Sequence, residues 1–120
     1  MARHGRVAYE ALAAVDVPEE LRRAVLAHVG HVPAESRLER AVVAADPVTG
    51  LITAAALIGP SKKLADVRVD SLRKRMKEKR FAANVNREQI ARCSELGLAL
   101  DEFLALSLAA MQRVAPELGL

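Results

Sequence analysis

Two histidines and one aspartate in the first half of the chain, His4, His28 and Asp46, are of the types that hold divalent transition metals. Imidazole nitrogen and carboxylate oxygen are ligands that such ions accept. Leu21, Val25 and His28 fall at i, i+4 and i+7, and Leu38, Val42 and Asp46 at i, i+4 and i+8. On α-helices these spacings place His28 and Asp46 on the same faces as their aliphatic neighbours, an unusual setting for a carboxylate. A helical scaffold can project such groups inward from separate helices and hold an ion between them. The competing reading is plainer: a satisfied core imidazole, and a carboxylate that caps a helix or pairs with a base. His31, three residues after His28, is either a spare ligand, a proton donor to a leaving group, or a simple loop residue.

A second concentration of chemistry lies at 62–80. Nine basic residues stand there against Asp66, Asp70 and Glu78, so the segment carries +6 while the rest of the chain carries −3. Such polarity points to an anion as ligand or partner. Guanidinium forks and ammonium groups both serve phosphates, and Lys62, Lys63, Arg73, Lys74 and Arg75 are the candidates for a phosphate-facing surface. A solvated helix face accounts for the same run without a ligand. Nucleic acid is the weaker partner, because single strands stack on aromatic platforms and only Phe81 lies nearby. The one thiol, Cys93, has Glu88 and Glu95 for neighbours, and nothing in the sequence activates it.

Composition bounds what can position these groups. A chain of 120 residues suits one domain. Its apolar content is 52% but its aromatic content only 2%, with Ala, Leu and Val dominating, which favours helices over strands. A single cysteine makes neither a disulfide nor a zinc site and suits a reducing cytoplasm. The basic N-terminus has no apolar run after it to act as a signal peptide. The longest apolar stretch, 51–59, falls short of the ~20 residues that span a bilayer. The expectation is a soluble cytoplasmic protein with no membrane contact.

The pattern predicts an all-α, compact multi-helix domain. A first helix is expected over Arg6 to Val15, with Val7, Ala8, Leu12 and Val15 as its apolar stripe. Asp16-Val17-Pro18 starts a second, with Glu19 and Glu20 at its positive end and Gly30 as its stop. Ser36 and Glu39 form an S-x-x-E capping box for a third. Pro47 is expected to kink that helix or start a new one, and 51–58 to run on as a buried helix ending at Gly59-Pro60. After a loop at 61–69, with or without one helical turn, Asp70 or Ser71 caps a short helix to about Arg80, with Leu72 and Met76 inward. Asn86 caps a helix that Gly97 stops. The last runs from about Asp101 to Val114 and buries Phe103, Leu104, Leu108 and Met111. No repeat or domain boundary interrupts the chain.

The sequence also resembles a known family. His4-Gly5, Ala8, Leu12, Pro18-Glu19-Glu20, Ala27-His28 and Ala44-Ala45-Asp46 are similar to the second half of an HD-superfamily metal-dependent phosphohydrolase. Thr49-Gly50-Leu51-Ile52, Pro60-Ser61-Lys62-Lys63-Leu64, Ser71-Leu72-Arg73-Lys74-Arg75 and 81–88 resemble the C-terminal extension of a bacterial subfamily. The resemblance divides the chain into a partial HD core at 1–59 and a helical extension at 60–120. It implies that Asp46 matches the final metal-binding Asp, and His4 and His28 the additional histidines of binuclear members. The metal would be Mn, Fe, Ni or Mg. The family's first His and His-Asp doublet belong upstream of His4, where this chain has only Met1, Ala2 and Arg3, and Pro47 replaces an expected acid. The implied function is the C-terminal part of a phosphoester hydrolase, acting on a phosphorylated small molecule or nucleotide and inactive alone. A homodimer or a complementing N-terminal half would cover the apolar surface left bare. The alternative is a non-catalytic helical module that binds an anion or a protein.

Overall fold

The computed structural model describes residues 6–12, 18–27 and 32–120. These form seven helices: α1 (Arg6–Leu12), α2 (Glu19–Ala27), α3 (Arg37–Ile58), α4 (Val69–Lys77), α5 (Arg87–Ala91), α6 (Leu100–Arg113) and α7 (Ala115–Leu118). Two 3₁₀ turns, Leu64–Asp66 and Arg92–Leu96, complete the helical elements. The all-α expectation holds, with no strand among the described residues.

The long α3 is the axis of the molecule. Ser36 Oγ accepts from the Glu39 amide, as the S-x-x-E pattern predicts. The return bond differs: the Glu39 carboxylate takes the Glu35 amide, one residue before the cap. Val43, Ala44, Val48, Leu51, Ile52, Ala55 and Ala56 form its buried stripe. The helix runs on past Pro47, so no new helix starts there. Proline removes one donor from the ladder, and the long buried stripe on both sides of Pro47 holds the helix together across that gap. Among the described residues α3 is also the one helix long and apolar enough to cross a membrane, which corrects the shorter apolar span read from the sequence. Its buried stripe instead lies at the centre of the core.

Around it pack Leu64, Leu72, Ile90, Cys93, Phe103, Leu104 and Leu108 from the second half of the chain. Two caps there follow the sequence, but α4 starts at Val69, after Arg68 and ahead of the expected Asp70 or Ser71 cap, and ends at Lys77, short of Arg80. Asn86 Oδ1 accepts from the Gln89 amide at the start of α5. Gly97 takes φ +77, a conformation that side chains disfavour, and closes the 3₁₀ turn with bonds to Ser94 and Cys93 carbonyls. The helix expected over 87–96 is thus α5 followed by that turn. α6 buries Phe103, Leu104 and Leu108 as expected.

The N-terminal helices differ more. No residue of α1 is buried, and Val7 is exposed. In α2, Ala24 and Ala27 are buried, not the expected stripe: Leu21 is exposed and Val25 half-buried. On the side of α2 that meets α3, the small Ala24 and Ala27 are buried and Arg23 Nε reaches Glu39 Oε1 at 3.2 Å. The expected Asp16 cap, Val15 and the Gly30 stop lie outside the described residues.

Candidate anion-binding site

Asp46 is exposed on α3, not on its apolar face. The buried stripe begins at Glu39 and is offset by one residue from the Leu38, Val42, Asp46 series. Glu39 is only 2% exposed. His4, His28 and His31 lie outside the described residues. Among the described residues no three His, Cys, Asp or Glu side chains gather as a metal would need. Asp46 is the one member of the proposed ligand set among the described residues, and its companions His4 and His28 lie outside them.

Part of the basic segment borders a hollow of about 330 Å³, which opens where α3 ends and α4 begins. Gly59-Pro60 stops α3, and the Lys62 amide bonds the Gly59 carbonyl to turn the chain. Lys62 itself sits at φ +56, while the Ser61 hydroxyl accepts from the Lys63 amide. The following 3₁₀ turn is pinned from both sides: the Leu64 amide bonds the Leu120 oxygen, and Gln112 Nε2 donates to the Leu64 carbonyl at 2.9 Å. Leu64 is fully buried. This anchoring fixes Lys63 and Asp66, on either side of Leu64, at the edge of the hollow.

Ala55, Ala56 and Val67 supply apolar wall, and Ser61 and Ser71 supply hydroxyls. Three cations border the space: Lys63, Arg68 and Arg75. Arg75 is held in place, paired with Glu78 at 2.7 Å and stacked over the Phe81 ring at 4.4 Å from its centroid. Phe81 is itself fixed by Arg87, whose guanidinium donates to the carbonyls of Arg75, Met76, Glu78, Phe81 and Ala82. Among the described residues the Lys63 and Arg68 side chains have no hydrogen bond or ion pair. Arg68 also precedes α4 and offers no side-chain acceptor to its first amides, which adds the positive end of a helix to the same region.

Of the five cations chosen from the sequence, Lys63 and Arg75 reach this hollow. Lys62 and Lys74 are exposed and do not line it. Arg73 faces α6, paired with Asp101 and Asp70 at 3.0 Å each, and Asp101 raises its pKa. Arg68, Ser61 and Ser71 were not singled out from the sequence. The Gly59-Pro60 stop marks a turn there, but the hollow itself depends on how α3, the turn and α4 pack. Cys93 is buried, with burial pushing its thiol pKa up and Sγ facing the Leu98 carbonyl at 3.6 Å, consistent with an unactivated thiol.

Comparison with protein-family models, curated proteins and solved structures found no match.

Proposed function

We propose that this protein is a helical module that binds a small phosphate-bearing anion in the hollow between α3 and α4. The observation that supports this reading is that Lys63 and Arg68, exposed and without a hydrogen bond or ion pair among the described residues, border one hollow with a third cation, Arg75, that is oriented by Glu78 and Phe81. A phosphate dianion accepts bonds from guanidinium, ammonium and hydroxyl donors together, and all three kinds border the space. Titration with inorganic phosphate, followed by calorimetry and amide chemical shifts, tests it. Lys63→Ala and Arg68→Ala should each weaken binding about tenfold, the return on one charge-assisted bond. Arg73→Ala, which alters a pair outside the hollow, should leave it unchanged. Shifts that map elsewhere, or equal binding by all variants, would reject the site.

The phosphohydrolase reading adds a metal centre at His4, His28 and Asp46 and rests on the sequence resemblance alone. Its test is the metal content of the purified chain together with phosphoester turnover; absence of both removes it. A protein partner or second copy is proposed on the strength of the exposed Leu57, Ile58 and Leu106, and light scattering that returns a monomer at all concentrations would count against self-association. A reducing compartment is proposed from the lone buried thiol.

A further inference from the structure

Asp66 is out of place in a site for a bare anion. It borders the hollow with Lys63, Arg68 and Arg75, yet among the described residues its carboxylate makes no hydrogen bond or ion pair. A carboxylate beside a bound phosphate repels it. It becomes favourable only if the ligand brings a donor to meet it, since an ionised carboxylate can only accept. The backbone of the turn that carries Asp66 is anchored by the buried Leu64 and its two bonds to the C-terminal segment, and the exposed carboxylate stands at the rim.

We infer that the hollow selects a phosphate monoester of a hydroxylated carbon skeleton, a sugar or polyol phosphate, with Asp66 accepting from its hydroxyl groups. This rests on the phosphate-binding reading of the same site. The phosphate lies against Lys63, Arg68 and Arg75, and the polyol reaches across to Asp66. The size agrees, because about 330 Å³ stands at the small end of ligand clefts, which run from about 300 to 1,000 Å³. That leaves room for a compact ester.

The experiment titrates the full chain with inorganic phosphate, methyl phosphate and ribose 5-phosphate, then repeats all three with Asp66→Ala and Asp66→Asn. In the unaltered protein ribose 5-phosphate should bind about tenfold more tightly than methyl phosphate, the worth of one bond to a charged acceptor. Asp66→Ala should erase that preference and strengthen binding of inorganic phosphate. Asp66→Asn, which keeps an acceptor and loses the charge, should retain part of the preference. If none of the three anions binds, the phosphate reading itself falls. If all three bind equally, or the preference survives in Asp66→Ala, the assignment of Asp66 is overturned while phosphate binding stands.

Discussion

Glu39 lies beneath the surface with the Glu35 amide, the Ser36 hydroxyl and Arg23 around it. Burial alone would raise its pKa, but those three partners together outweigh burial and leave it below the ordinary value. A carboxyl whose pKa is lower folded than unfolded stabilises the fold above its unfolded value, about 4.3, and loses that contribution as pH falls through the folded value. Urea denaturation from pH 7 down to pH 3 should therefore show stability falling below that point, and Glu39→Gln should flatten the fall. Arg87 makes a second residue-scale case. Five backbone carbonyls converge on one guanidinium, and a lysine has neither the donors nor the planar fork to replace it. Arg87→Lys should cost about 2 kcal/mol in denaturant titration and speed amide exchange across 78–86. Because that loop carries Phe81 under Arg75, the same variant should also weaken phosphate binding.

At the scale of elements, α3 shows tertiary packing overriding local preference. A proline within a helix interior costs about 3 kcal/mol or more, and a glycine about 0.5–1 kcal/mol relative to alanine. α3 carries both, Pro47 and Gly50. Gly50 is exposed, and a Cβ there would meet Val85 Cγ2 at 3.6 Å, an ordinary contact. Gly50→Ala should thus stabilise by about 0.5–1 kcal/mol, and Pro47→Ala, which returns an amide to the ladder, by up to about 3 kcal/mol. Thermal unfolding of both variants checks this; a loss of stability in Gly50→Ala would mean that the glycine is needed for a conformation other than this helix.

Across the whole molecule the hydrophobic core is unevenly distributed. Its main cluster draws on α3, α4, α5, α6 and both 3₁₀ turns, and takes nothing from α1 or α2. Those two helices are instead joined by polar contacts: Tyr9 to Glu19, Arg22 to the Tyr9 carbonyl, and Arg22 over the Tyr9 ring. α2 adds Ala24, Ala27 and the Arg23–Glu39 pair against α3. A chain beginning at Pro33 should accordingly keep its helical circular dichroism, unfold cooperatively and bind phosphate as the full chain does. Loss of the transition, or of binding, would show that the N-terminal helices are needed to complete the fold.

Much of the architecture was written in local signals. The Ser36 and Asn86 caps, the Gly97 stop and the inward Leu72, Phe103, Leu104 and Leu108 follow from side-chain chemistry and helical period, which act over a few residues. The basic segment was legible as charge, but not which of its cations would share a space. What only the tertiary structure decided was rotation and continuity. The apolar period could not choose between the Asp46 face of α3 and its neighbour one residue away; that choice rests on packing against Leu64, Leu72, Ile90 and Leu104 from the second half of the chain. Nor could it say that α3 would run through Pro47, since the stabilising contacts come from segments up to 60 residues later in the chain, such as Leu104 and Leu108. The hollow has the same origin: its walls come from α3, a turn and α4, and its shape depends on Gln112 and Leu120 gripping Leu64 from the far end of the sequence.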